Sequence, residues 1–253
     1  MSKQSSKAYY DQCKENYLNN AISKPNKDCL LFGFAENNIG HAIFQELLNC
    51  KHSISALTED EFTVGNDQMY MIDGIHNCDV AIFNNAKMNL DWIGEQDHQK
   101  IESVIFNTMT ATIKAVNDFV RLTMDNGKIK TIIIIGSMAH NHVLNASSAY
   151  CAAKAGIAMY ARCAAYELAP KGYRVYCIHP SNVLDAPMSE QTITELMRLR
   201  SLTREQAESY WAAECPMGTF LTKKEIAETV AYLLTDSARY LSGSDIELKG
   251  GQR

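Results

Sequence analysis

A chain of 253 residues, 46% hydrophobic and 21% charged, has room for one sizeable α/β core and not for two. Its net charge of -5 leaves no broad basic surface, so nucleic acid is not an expected partner. The longest aliphatic run, Ile132–Ile135, falls far short of the roughly 20 residues that cross a bilayer, so no membrane partner is expected either.

Residues 1–26 are polar and carry Lys3, Lys7, Lys14 and Lys24 without the apolar stretch of a signal peptide. Tyr9, Tyr10, Cys13, Tyr17 and Leu18 stand at helical spacing and predict an N-terminal extension, an amphipathic helix or a docked arm. Cys13, Cys29, Cys50, Cys78, Cys151, Cys163, Cys177 and Cys215 include no C-x-x-C pair, which fits a reduced, cytoplasmic protein without structural zinc.

From Asp28 onward short apolar runs alternate with segments of helical period. Strands are predicted near Cys29–Phe34, Ser53–Leu57, Phe62–Val64, Asp79–Asn84, Lys130–Gly136, Arg174–His179 and Asp245–Leu248. Helices are predicted over Asp97–Met124, over Ala149–Leu168, closed by Pro170 and Gly172, and over Lys223–Thr235, opened by the capping-box pair Thr222 and Glu225. The pattern is that of an α/β fold: a single domain over 27–253 with a doubly wound parallel sheet in three layers, α/β/α. Thr131-Ile-Ile-Ile-Ile135, apolar on both faces, belongs mid-sheet.

The first strand runs into Gly33-Phe-Ala-Glu-Asn-Asn38-Ile39-Gly40, a strand–turn–helix passage of the kind that seats a dinucleotide pyrophosphate on a helix N-terminus. A second strand ends in Asn84-Asn85-Ala86, whose amides either brace neighbouring strands or hold a ligand. Ser137 follows the buried strand directly, and Tyr150 and Lys154 follow on the Ala-rich helix. A spacing of four puts phenol and ammonium on one helix face, where the cation is expected to lower the tyrosine pKa for proton exchange. Tyr10 and Lys14 share that spacing but lack the strand and serine before them.

This ordered set resembles the short-chain dehydrogenase/reductase family over Asp28 to Gln252, a Rossmann-like fold. Gly33 to Gly40 is similar to its cofactor turn, Asn84-Asn85-Ala86 to its strand-end motif, and Asn107 to its mid-helix catalytic asparagine. Ser137, Tyr150 and Lys154 match its serine, tyrosine and lysine, and Pro180 and Val183 match positions beside the nicotinamide. The resemblance implies hydride transfer between NAD(H) or NADP(H) and a small-molecule carbonyl or secondary alcohol. It gives Tyr150 the role of general acid/base and Ser137 that of holding the substrate oxygen. Lys154 would bind the ribose, and Asn107 would anchor a water chain. A homodimer or homotetramer is implied too, paired through the helices of Asn107 and Tyr150.

Several positions depart from the family pattern. The turn is one residue longer and has two glycines, not three. Asp185 stands where a threonine is usual, set either beside the nicotinamide or out in water. At the end of the second predicted strand Glu59 or Asp60 would accept from a free ribose 2′-hydroxyl, which favours NAD(H), while Lys51 and His52 keep NADP(H) open. Residues 186–216 are expected to form a substrate lid in which Met188, Leu196, Leu199, Tyr210 and Trp211 supply apolar contacts. Arg198, Arg200 and Arg204 there meet either an anionic group or solvent. His140 and His142 read as exposed loop histidines, without a metal. Two alternatives stand: an enoyl-thioester reductase of the same fold, and a non-catalytic dinucleotide-binding sensor or scaffold.

Overall fold

The computed structural model describes residues 26–58, 74–124 and 127–252. Among these, six strands form one parallel sheet: β1 (Asp28–Phe34), β2 (Ser53–Thr58), β3 (Val80–Phe83), β4 (Lys130–Ile135), β5 (Tyr173–Pro180) and β6 (Asp245–Leu248), in the order β2-β1-β3-β4-β5-β6. The extension over residues 1–25 and the predicted strand Phe62–Val64 lie outside the described residues.

The helices are α1 (Ile39–Asn49), α2 (His98–Ile105), α3 (Ala111–Thr123), α4 (Ser148–Leu168), α5 (Pro187–Arg200), α6 (Arg204–Ala212) and α7 (Lys223–Leu233). Strand β4 shows how the sequence generates the layers, since side chains alternate across a strand. Ile132 and Ile134 join Phe32, Phe83, Phe119 and Ile157 on one face, against α3 and α4. Ile133 and Ile135 join Ile43, Leu47, Val230 and Leu233 on the other, against α1 and α7. Burying each such side chain stabilises the fold by roughly 1.5–3 kcal/mol relative to exposure.

Helix termini follow their local chemistry. Thr222 and Glu225 make the reciprocal capping box at the start of α7. Gly172, at φ 83°, ends the single-turn helix that follows α4, just beyond Pro170. The helix expected over Asp97–Met124 is interrupted: α2 passes through a π-helical segment, Phe106–Thr110, before α3 begins. Such widened turns free a backbone carbonyl from the regular ladder.

The chain leaves β1 for β2 on one side and then crosses back to β3 on the other. This reversal opens a crevice above the carboxyl ends of β1 and β3, where open α/β sheets bind ligands. The stacked rings of Phe32 and Phe83, 4.8 Å apart, lock the two strands in register just beneath Gly33 and Asn84. Lys51 and His52 precede β2 and so lie at its amino end. The sequence reading that let them reach the cofactor is corrected: they stand at the opposite edge of the sheet from the crevice.

Candidate active site

A cleft of about 730 Å³ is lined by Asn107, Ser137, Tyr150 and Lys154 together with Asn38, Ile39, Asn84, Asn85, Ala86, Pro180 and Val183. Gly33 and Gly40 are the candidate residues that do not line it; they shape its wall. Gly33 adopts φ 78°, and a Cβ there would lie 2.7 Å from the backbone of Asn84. A Cβ on Gly40 would lie 2.7 Å from the carbonyl oxygen of Gly33. That oxygen accepts from Asn38 Nδ2 at 2.9 Å and from Asn84 Nδ2 at 3.0 Å. Asn38 also caps α1, its Oδ1 accepting from His41 N at 2.9 Å. Two side-chain amides thus replace the missing third glycine as the element that fixes the turn.

Asn85 braces as well. Its Nδ2 donates to the carbonyl of Asn107 at 2.6 Å and to Thr112 Oγ1 at 3.0 Å, holding the π-helical segment against β3. The Asn107 side chain donates to Ser103 O at 2.7 Å. Asn84 and Asn85 thus brace the turn and the π-helical segment while lining the cleft.

Ser137 caps a short 3-10 turn, with its Oγ accepting from Ala139 N at 3.1 Å. Tyr150 and Lys154 project from α4, and Lys154 Nζ lies 5.7 Å from the Tyr150 ring centre and donates to Ile135 O at 2.9 Å. Both side chains are buried. The expected depression of the tyrosine pKa is not what burial produces here. Desolvation pushes Tyr150 up to about 12, with the hydrogen bond to Ser137 pulling the other way, and desolvation brings Lys154 down to about 8. Both shifts disfavour charge on the buried groups, and the tyrosine shift runs opposite to the one that spacing alone suggests.

His140 is not an exposed loop residue. Its side chain is 6% exposed and its ring stacks on His179, with centroids 3.7 Å apart. His140 Nδ1 lies 2.9 Å from Ser137 O, and His179 Nδ1 accepts from Ser137 N at 3.3 Å. His179 Nε2 lies 3.1 Å from Asp245 Oδ1. His140, His179 and Asp245 form a compact group of donors of the kind that can hold a metal ion. Hydrogen bonds also link these groups, through Ser137 O to His140 and through Asp245 to His179. The sequence reading missed His179; the available signal was an imidazole at the carboxyl end of a strand next to the one that delivers Ser137.

Met188, Leu196, Leu199, Tyr210 and Trp211 all line the cleft, as expected of a lid, and Arg200 joins them. Asp185 does not line it. Its carboxylate accepts from Lys223 N at 3.4 Å and lies 3.8 Å from Lys223 Nζ, with half its side chain in solvent, so the water-facing alternative holds. Lys223 Nζ also donates to Asn37 O at 2.7 Å, a cation at the cofactor turn that sequence reading did not single out.

A family model described as enoyl-(acyl carrier protein) reductase matches residues 59–253. The chain belongs to the short-chain dehydrogenase/reductase family. It is an oxidoreductase of that family. Among similar proteins is 2-(S)-hydroxypropyl-CoM dehydrogenase 3 of Xanthobacter autotrophicus, 27% identical over 78% of this chain and 70% of its own. Another is a short-chain dehydrogenase/reductase of Botryotinia fuckeliana, 32% identical over 74% of this chain and 68% of its own. The fold is shared with a short-chain dehydrogenase family protein of Francisella tularensis, with a TM-score of 0.77 at 22% identity over 89% of this chain and 98% of that one. No helix among the described residues is long and apolar enough to cross a membrane.

Proposed function

We propose that this short-chain dehydrogenase/reductase interconverts a small-molecule carbonyl and a secondary alcohol with NAD(H), using Asn107, Ser137, Tyr150 and Lys154. The observation that carries the reading is the meeting of Ser137, Tyr150 and Lys154 in one cleft with the Gly33–Gly40 turn beside it. The residues present fit a dinucleotide. The turn leaves no room for a Cβ at either glycine, α1 begins at the cleft, and the Lys154 ammonium has two N–H groups beyond the one given to Ile135. Relatives are consistent with this: an Agrobacterium tumefaciens neighbour carries bound NADP, and a Rhizobium meliloti relative is D-beta-hydroxybutyrate dehydrogenase.

The bound nicotinamide supplies or takes the hydride. Tyr150 donates its phenolic proton to the substrate oxygen in reduction and takes it back in oxidation. Ser137 hydrogen-bonds to the same oxygen as charge develops there. Lys154 holds the ribose and offsets charge on the phenolate, while Asn107 anchors the waters that return the proton. For the enoyl alternative a longer tyrosine–lysine spacing would be needed than the i, i+4 step from Tyr150 to Lys154.

NAD(H) is favoured over NADP(H) because the sequence from Glu59 to Asp73, after β2, contains no lysine or arginine to meet a 2′-phosphate, whereas Glu59 or Asp60 offers a carboxylate suited to a free hydroxyl. The protein is read as a cytoplasmic homodimer or homotetramer pairing through α2–α3 and α4.

Titration with NADH and NADPH by nicotinamide fluorescence, followed by a carbonyl panel on wild type and Tyr150→Phe, tests the assignment. Tight NADH binding in both proteins, with turnover lowered by about 10²–10⁴-fold in Tyr150→Phe, is expected. Cofactor binding without turnover across the panel would instead favour the sensor.

A further inference from the structure

The lid carries three arginines, and their surroundings separate them. Arg198 Nε binds Glu195 Oε2 at 2.6 Å, and its Nη2 lies 3.8 Å from Asp91 Oδ1. Arg204 bridges Glu190 at 2.7 Å and Glu208 at 2.8 Å. Both charges are neutralised on the outer surface of the lid. Arg200, the last residue of α5, has no carboxylate within ion-pair distance among the described residues; its guanidinium carbon sits 4.4 Å from the centre of the Tyr210 ring. Both residues line the cleft that holds Ser137 and Tyr150.

A guanidinium laid on an aromatic ring is held by the ring face while its in-plane edge keeps its N–H donors free. That edge matches a carboxylate or phosphate in bidentate fashion. The remaining charges of the lining point the same way. Lys87 and Lys154 are cationic, and Glu214, the one carboxylate on the lining among the described residues, is engaged by Asn182 Nδ2 at 3.0 Å. An acidic protein of net charge -5 thus presents a cationic substrate cleft, an arrangement that steers anions inward.

We infer that Arg200 is the specificity residue of the substrate end, binding an anionic group, carboxylate or phosphate, at the end of the substrate remote from the reacting carbonyl. The inference rests on the redox reading of Ser137, Tyr150 and Lys154, which brings the carbonyl into the same cleft. Leu196, Leu199 and Trp211 then cover an apolar spacer between the two polar ends.

The test uses methyl ketones bearing a terminal carboxylate on spacers of one to five methylenes, their methyl esters, and the matching terminal phosphate monoesters. Wild type, Arg200→Gln, Arg200→Lys and Lys87→Gln are compared with NADH. A charge-assisted bidentate contact is worth about 10–100-fold in kcat/KM. The acid-to-ester or phosphate-to-ester ratio is therefore expected to reach that range in wild type at one spacer length, and whichever series reaches it identifies the anion. In Arg200→Gln the ratio collapses toward one through KM, and Arg200→Lys restores part of it. An unchanged ratio in Arg200→Gln, a preference for esters in wild type, or a collapse in Lys87→Gln alone would overturn the inference.

Absence of turnover with every ketone, acid and ester alike, would count against the redox reading instead. The anion site is then decided by equilibrium titration of the NADH-bound protein with simple alkanoates and alkyl phosphates. Binding weakened about tenfold or more in Arg200→Gln upholds it, and equal binding overturns it.

Discussion

His179 Nε2 lies 3.1 Å from Asp245 Oδ1 while its Nδ1 accepts from Ser137 N at 3.3 Å, so one fully buried ring ties the sheet edge to the peptide of the candidate catalytic serine. With Asp245 ionised, Nε2 carries the proton and donates it, leaving Nδ1 free to accept. A protonated ring loses that bond and turns Nδ1 toward Ser137 O, 3.0 Å away. Burial, reinforced by neighbouring His140, holds His179 below its usual pKa, against the pull of Ser137 and Asp245. A depressed histidine contributes stability that is complete above its unfolded value of about 6.5 and is lost as pH falls from there through the folded value. The melting temperature should therefore drop as pH falls below about 6.5, and His179→Gln should flatten that slope. An equal slope in the variant would assign the acid limb elsewhere.

Tyr150, pushed up to about 12 by burial, holds its proton at neutral pH. Reduction, which needs the phenol, should be insensitive to pH around 7. Alcohol oxidation, which needs the phenolate, should rise about tenfold per pH unit well into the alkaline range. Profiles of kcat/KM in both directions check this, and a plateau for oxidation already near pH 7 would contradict it.

Lys154 is buried with Ile135 O as its bonded acceptor, and burial brings its pKa down to about 8. Its charge is held at a cost to the fold when no cofactor is bound. Lys154→Met should raise the stability of the cofactor-free protein by roughly 1–3 kcal/mol in urea unfolding while abolishing turnover. A loss of stability would mean that the ammonium is structural.

Gly33→Ala combines a positive φ with a contact of 2.7 Å onto the Asn84 backbone. It should destabilise the protein by about 2–4 kcal/mol and weaken NADH binding. Denaturation midpoints and nicotinamide fluorescence report the two effects, and the loss of binding without loss of stability would separate the turn from the fold.

The parallel sheet and its two apolar faces were legible in the sequence because each rests on local periodicity. The continuous apolar run Thr131–Ile135, the capping box at Thr222 and the run of small residues in α4 act over a few residues. Ser137, Tyr150 and Lys154 were legible for the same reason: strand, turn and helix lie close along the chain and deliver them together. The sequence by itself therefore determined the layers, the order of the elements and the residues offered for proton transfer.

Tertiary structure alone decided what surrounds those residues, because burial and charge pairing depend on contacts distant along the chain. It turned the tyrosine shift upward and gave Asn85 to Asn107. It brought Asp245 and His179 beneath Ser137 from 108 and 42 residues away. It also placed Lys51 and His52 at the wrong edge of the sheet for a cofactor phosphate, and left Arg200, alone among the three lid arginines, facing the cleft without a carboxylate among the described residues.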